Sequence, residues 1–563
     1  MNQIAVKSNK AFKPFSESMV LYISMFVMGG CGLAYEYTLS KLCSDLLGNS
    51  VEQWAVIIGV MMFFMGIGSD VQKYFQDKEL FSKFLFAQML LGLGGAFGPI
   101  VILDAYGRFP QHFVIIQYFF ISAIGLLIGF EIPLLTRINS KYSKEIKFNI
   151  GGILKMDYIG ALCGALIWVF VLPKFFSTTK MAFVLGLMNI AVAGFALIYF
   201  YALIEKRRLV SLAIIVSFSL VTVGYFIADQ WTSYAEQALY RDRIVYAKTS
   251  KYQHLVITEK ATGSFSFFIN GHLQFNSNDE YIYHENLVHP AMLIAPKKER
   301  VLILGGGDGL AAREVLKYKE VKELTLCDID PMVVELARFN QLMRTLNQDS
   351  LFDARLHLIK NKALMKAAER DLWTPDHKSL SPRKMAKVSH VTIINVDAMK
   401  FIEQVQGQYD VVIVDFPDPN APELAKLYSQ SFYQLLRKQL APGAVFVQQS
   451  TSPYYAKEAF LNIGRTIKSA GFAAIPYHED IPSMGDWGFW IAGDTKWYSE
   501  KSLRMQFENA DTTNIPLQYL TNDTKQASLA FGAQQLISSN NDINTLTSAV
   551  VYRYYLKGWQ QYF

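Results

Sequence analysis

Apolar positions run on without a polar face through the first 228 residues, and beyond them they come in short alternating bursts separated by polar turns. Residues 84–103, 181–204 and 209–228 are uncharged apolar runs of 20 or more residues, long enough to cross a hydrocarbon core of about 30 Å as helices. Four further runs are less clean: 18–40 carries Glu36, 54–69 is short, 113–136 carries Glu131, and 156–173 begins beside Asp157. Together they predict an N-terminal α-helical transmembrane bundle of about seven spans over 18–228, behind a tail at 1–17. The first run is too long for the apolar core of a signal peptide and has no small-residue cleavage site, so it reads as a span.

The second half opens with alternating segments at 252–258 and 266–274, the latter holding Asn270-Gly271, a strong hairpin signal. They predict a linker and small β domain over 229–296. From residue 299 short β-branched runs at 301–305, 323–328, 391–396, 411–415 and 444–449 alternate with helical stretches. That order predicts an α/β, doubly wound parallel sheet, a Rossmann-like domain of the methyltransferase type over 297–495. A Lys-rich segment near 359–390, with Pro375 and Pro382, reads as an insertion, and the extension 496–563 shows no recognisable chemistry.

Composition agrees with a chain partly in lipid: 51% of its 563 residues are hydrophobic and 18% charged, outside the usual soluble range. Four cysteines without metal or redox spacing exclude a disulfide scaffold or cysteine zinc site. A net charge of +6 without a basic stripe argues against nucleic acid as partner. Gly29, Gly30 and Gly32, Gly94 and Gly98, and Gly160 and Gly164 have the spacing of closely packed membrane helices. Ionisable groups in such helices mark functional sites or ion pairs. For Glu36, Glu131 and Asp157 the favoured expectation is pairing with nearby Lys41, Arg137 and Lys155, with a polar cavity that accepts a cation as the alternative.

Ligands on a doubly wound sheet bind beyond the carboxyl ends of its strands. After the first strand come Gly305, Gly306, Gly307, Asp308 and Gly309, where glycines let the backbone approach a nucleoside. Asp328, about 20 residues on, can accept both ribose hydroxyls. S-adenosylmethionine brings its own carboxylate to such a loop, and Asp308 would repel it. A decarboxylated donor brings only an ammonium there, which Asp308 would attract. Asp397 suits the adenine amino group or a helix N-cap. The fourth strand ends in Asp415-Phe416-Pro417-Asp418-Pro419-Asn420, two acids in a stiff loop. One can accept a proton from an attacking amine and the other can hold a second positive charge.

In this combination the sequence resembles the polyamine aminopropyltransferases, the spermidine synthases, and in particular their bacterial membrane-fused branch. The resemblance runs from about 252 to 495 and rests on Tyr252-Gln253, Gly271 to Gln274, Asp279 to Glu285, Gly305 to Gly309, Asp328 to Asp330, Asp397, Asp415 to Pro419, Leu427 to Ser429, Ser431 to Tyr433, Gln448 to Ser450 and Trp487 to Phe489. It implies Asp415 as catalytic base, Asp308 and Asp418 as anchors of the donor's aminopropyl ammonium, Asp328 as ribose ligand and Asp397 as adenine ligand. Gln253, Tyr283 and His284 match positions lining the donor and amine pocket. Phe416-Pro417 stands where soluble enzymes carry small hydroxyl residues, a departure expected to reshape amine selectivity.

The implied reaction moves the aminopropyl group of decarboxylated S-adenosylmethionine to an acceptor such as putrescine. A sulfonium leaves readily, so neither a metal nor a covalent intermediate is needed, and catalysis reduces to placing a neutral amine in line. A methyltransferase, and a transporter or sensor whose globular part binds a polyamine or nucleoside, remain as alternatives. Membrane lipid and a second copy of the chain, as a homodimer, are the other expected partners.

The expected location is a bacterial inner membrane. Fourteen Lys and Arg lie in the tail and the loops near 70–83, 137–155 and 205–208, against four in the alternate loops, which puts the N-terminus in the cytoplasm. Seven spans would then place the catalytic half outside, whereas a donor made in the cytosol requires it inside. The expectation adopted is a cytoplasmic catalytic half, with 54–69 or 156–173 re-entrant.

Overall fold

The structure, a computed structural model, describes residues 15–47, 50–77, 79–143, 145–204, 206–351, 356–359, 390–405 and 407–562. Most of the N-terminal tail and nearly all of the 359–390 insertion lie outside them. The chain divides into two compact units, Met1–Arg243 and Ile244–Phe563.

The first unit contains 7 helices long and apolar enough to cross a membrane, matching the seven runs in the sequence. They span Glu17–Leu47, Glu52–Tyr74, Leu80–Arg108, Pro110–Asn139, Ile146–Lys174, Thr178–Leu203 and Arg207–Gln237. Large apolar side chains such as Phe63, Ile198 and Phe226 point outward from them, a surface that water would not tolerate. The run 54–69 lies inside a helix of 22 residues and 156–173 overlaps one of 25. Polar flanks extend both, so shortness does not make either re-entrant.

Helices 17–47 and 146–170 meet through glycine. A Cβ on Gly160 would stand 2.0 Å from the Phe26 carbonyl oxygen, and one on Gly164 2.4 Å from that of Gly30. Gly94 corrects the expected pattern, because it faces open space.

The expected ion pairs are corrected too. Lys41 pairs with Asp45, and Arg137 binds Asp77 and the carbonyls of Gln72 and Phe75. Among the described residues no ion pair joins Glu36, Glu131 or Asp157 to Lys41, Arg137 or Lys155. The reason is helical spacing: side chains three or four apart face one another, as Lys41 and Asp45 do, whereas the proposed partners are five, six and two apart. Glu131 instead accepts a hydrogen bond from the Gln88 amide at 2.8 Å. It lines a cavity of about 150 Å³ with Met25, Ser69, Ile132 and Asp157.

The second unit opens with a four-stranded sheet of β1 (Arg243–Thr249), β2 (His254–Glu259), β3 (Phe265–Ile269) and β4 (His272–Asn276), in that order. Asn270 and Gly271 form the β3–β4 turn with φ of 50° and 81°, the left-handed pair a two-residue hairpin requires.

The large sheet has 8 strands: β5 (Arg300–Gly305), β6 (Glu323–Asp328), β7 (Leu356–Ile359), β8 (His390–Asn395), β9 (Tyr409–Asp415), β10 (Leu440–Gln449), β11 (Phe472–Ile481) and β12 (Gly485–Asp494). Their order is β11-β12-β10-β9-β5-β6-β8-β7. All pairs from β10 to β7 are parallel, but β12 runs antiparallel to both β10 and β11. The five strands expected from the sequence are parallel to one another, and the antiparallel pair β11 and β12 extends the sheet at one edge. Only Pro482, Ser483 and Met484 join β11 to β12, and a parallel crossover needs a dozen or more residues.

Both faces of the sheet are covered, which explains the continuous apolar strands. Val301 and Ile303 enter one core with Val411, Ile413 and residues of the helices Glu280–Ile294 and Glu500–Asn509. Leu302 and Leu304 enter the other with Val412, Val414 and residues of the helices Gln430–Lys438, Lys457–Ser469 and Val550–Trp559. The extension beyond 496 therefore contributes to both layers.

Candidate active site

The glycine loop follows β5 because only glycine fits there. Gly305 has φ of 88°, and a Cβ on it would stand 2.0 Å from the Asp415 carbonyl oxygen. The adjoining strands β5 and β9 thereby end side by side. Gly307 donates its N–H to Asp328 Oδ2 at 3.0 Å, and Asp328 Oδ1 accepts the Asp330 N–H at 2.8 Å. Burial pushes the Asp328 carboxyl up to about 7 despite those two donors.

Asp308, inside the loop, accepts the Leu310 N–H at 2.8 Å, and burial raises its pKa. One ligand atom each of Asp308, Asp415 and His284 lies within 4.8 Å of the others. Tyr283 donates its hydroxyl to Asp415 Oδ1 at 2.6 Å. Asp415 sits at about 6, raised by burial and by the Asp308 charge, with His284 and the Tyr283 hydroxyl pulling it down. Its other oxygen, Oδ2, faces Gly306, where a Cβ would come within 3.2 Å.

His284 donates from Nδ1 to the Glu280 carbonyl oxygen and contacts the Glu280 carboxylate, each at 2.8 Å. Burial opposes its protonated form, yet Glu280, Asp308 and Asp415 together raise its pKa above the ordinary value.

Asp418, on the same loop as Asp415, has different partners. Thr451 Oγ1 donates to it at 3.0 Å and Gln449 Nε2 at 3.4 Å. Burial pushes Asp418 up to about 6 against these two donors. Gln449 also donates to the Phe416 carbonyl oxygen, Tyr428 donates to that of Pro417 at 2.7 Å, and Trp487 donates to Gln449 at 3.2 Å. The ring of Phe416 packs in the core at 5.5 Å from that of Phe432. The departure at this position thus serves core packing.

Two expected residues have other partners in the fold. Asp397 caps the helix Ala398–Gln404 and pairs with Lys426, and a cap and a ligand can share one carboxylate. Gln253 ends a turn held by Ser250, whose hydroxyl donates to Asp330 at 2.6 Å, two residues beyond Asp328.

The sequence did not disclose the scaffold under His284. Arg313 grips Glu280 at 2.6 and 3.0 Å and donates to Glu314, which also contacts His289 at 2.8 Å. Burial pushes the Glu280 carboxyl up, but His284 and Arg313 more than offset this and hold it below its ordinary value. Asp279 accepts from Ser483, and Glu285 accepts three backbone N–H groups of Gln518, Tyr519 and Leu520. The available signal was the density of acids in an otherwise apolar helix, Asp279 to Glu285.

Residues 280–501 match the spermine/spermidine synthase domain family. A polyamine aminopropyltransferase of Leptospira interrogans is 34% identical over 544 residues, covering 96% of this chain and 99% of that one. One from Oceanobacillus iheyensis is 33% identical over 558 residues, covering 98% and 99%. Among solved structures, spermidine synthase from Thermotoga maritima is similar over 52% of this chain and 87% of that one, at 25% identity and a TM-score of 0.38. The full-length matches include the apolar helices, so these belong to the relatives' common plan.

Proposed function

The chain belongs to the polyamine aminopropyltransferases and is a transferase, and on that premise we propose that it carries the aminopropyl group of decarboxylated S-adenosylmethionine to a diamine such as putrescine. Spermidine and methylthioadenosine are the products. The observation that carries this reading is Asp308: a half-buried carboxylate inside the nucleoside-binding loop, grouped with Asp415 and His284. It suits a donor that ends in an ammonium and disfavours one that ends in a carboxylate.

Asp328 takes the ribose hydroxyls, Asp397 the adenine amino group, and Gln253 closes the nucleoside side. Asp415 Oδ2 accepts a proton from the attacking ammonium, with Oδ1 held by Tyr283. The freed nitrogen lone pair then forms the new N–C bond as the C–S bond breaks, and its electrons pass to sulfur, turning the sulfonium into a neutral thioether. The leaving group is already activated, so no metal is required. Asp418 lies outside the tight Asp308–Asp415–His284 group and is assigned the second positive charge of the acceptor.

The seven apolar helices tether this activity to a bacterial cell membrane, with the catalytic unit on the cytoplasmic side where the donor is made. The deciding experiment supplies the purified full chain with putrescine and either form of S-adenosylmethionine. Methylthioadenosine and spermidine should appear from the decarboxylated form alone, and Asp308→Asn should narrow the difference in affinity between the two. Release of S-adenosylhomocysteine, or no methylthioadenosine, would overturn the assignment.

A further inference from the structure

Two carboxylates of the first unit lack the ion pairs expected for them, and the fold brings both to one cavity. Glu131 and Asp157 belong to different spans, Pro110–Asn139 and Ile146–Lys174, and both line the cavity of about 150 Å³. The first of these spans is broken at Phe130, directly before Glu131. Pro133 has no N–H to offer the Gly129 carbonyl oxygen one turn back, and Ser69 of a third span donates its hydroxyl there at 2.9 Å. Interrupted helices beside a cavity are where membrane proteins hold charged ligands. Gly29 makes room for the second acid, since a Cβ there would stand 2.5 Å from Asp157 Oδ1.

Glu131 is 2% exposed, and one of its oxygens is engaged by the Gln88 amide at 2.8 Å. Among the described residues no hydrogen bond reaches its second oxygen, and neither a hydrogen bond nor an ion pair reaches Asp157. A carboxylate held in an apolar bundle without a counter-charge is costly, which makes this pair a receptor for positive charge. The walls between the acids are apolar, with Met25, Met65 and Ile132 among them. Hard metal ions take about six or more oxygen ligands, and these walls provide hydrocarbon instead. A linear diamine matches both features, with an ammonium for each acid and methylenes for the walls. A cavity of this size admits benzene, which has as many non-hydrogen atoms as a four-carbon diamine. We propose that this cavity binds a short linear diamine, one ammonium on Glu131 and the other on Asp157. The site lies wholly in the first unit, so it does not depend on the aminopropyltransferase reading of the second.

The test is equilibrium dialysis of radiolabelled putrescine against the purified full-length chain in detergent micelles. Glu131→Gln and Asp157→Asn should each weaken one class of putrescine site about tenfold or more, with methylthioadenosine release and its putrescine KM within about twofold. Asp157 holds no other group among the described residues, so its exchange tests the ligand without loosening the fold. Putrescine binding unchanged in both variants would overturn the proposal. So would binding and transfer lost together in both, which is collapse of the fold rather than loss of a ligand. Sodium or potassium displacing putrescine from this class of site at equal concentration would overturn it in favour of a metal cation. A wild-type chain that releases no methylthioadenosine, yet binds putrescine in a way that Glu131→Gln weakens, would overturn the catalytic reading and support this site.

Discussion

Replacing Tyr283 by Phe removes the 2.6 Å hydrogen bond to Asp415 Oδ1 and little else from the reacting group. A hydrogen bond to a charged group contributes about 1.5 kcal/mol, and at 1.36 kcal/mol per unit this is about one pKa unit. The Tyr283 hydroxyl stabilises the ionised carboxylate, so its loss raises the pKa of Asp415, from about 6 to about 7 on that one-unit shift. At pH 6.5 the ionised fraction falls from about three quarters to about one quarter, while at pH 8.5 both forms are almost fully ionised. The prediction is a kcat/KM that is about threefold more impaired at pH 6.5 than at pH 8.5. The assay is methylthioadenosine release across that range at limiting amine. Any loss of amine contact with the phenol lowers the rate equally at both ends and is separated by the ratio. An acidic limb that stays in place, or moves to lower pH, would refute Asp415 as the proton acceptor held by Tyr283.

Two further outcomes follow from the same geometry. Glu285→Gln removes the charge that holds the N–H groups of Gln518, Tyr519 and Leu520; it should cost about 2–3 kcal/mol of stability and lower Tm by several degrees, while both KM values stay unchanged. Lys501→Cys, made in a chain whose half-buried Cys163 is changed to Ser, should resist an impermeant thiol reagent on intact cells and react after lysis. Ready labelling on intact cells would place the catalytic unit outside.

The strands of the large sheet were legible because each parallel strand is apolar on both faces, and the 323–328 segment matches β6 residue for residue. Asn270-Gly271 was legible because few residues adopt two successive positive φ angles. The strands β7, β11 and β12 were not read as strands, since β7 adjoins the Lys-rich insertion and β11 mixes Pro476, His478, Glu479 and Asp480 among its apolar residues. Intramembrane pairing was misjudged by proximity in sequence, where helical phase decides which side chains meet. At the site, Asp308, Asp328, Asp415 and Asp418 were found from their places after strands. Their donors were not, because Thr451 and Gln449 reach Asp418 from 33 and 31 residues away in the chain.

The acids of the catalytic unit fall into two sets, and the division follows from what faces them. Glu280 and Glu314 are buried but meet arginine, histidine or lysine, and both are held below the ordinary carboxylate value. Asp328, Asp415 and Asp418 are half-buried, have no lysine or arginine partner among the described residues, and rise to about 7, 6 and 6. Their folded pKa values exceed those of the unfolded chain. Their contribution to stability is therefore fully present below the ordinary carboxylate range and is lost as pH rises through about 6 to 7. At neutral pH the empty site thus carries an electrostatic cost. A positively charged donor and a polyamine relieve it, and their binding draws on strain already present in the folded protein. Neutral nucleosides and carboxylated donors gain less or nothing from that relief, so selection for polycations resides in the uncompensated charge of the site as much as in its shape.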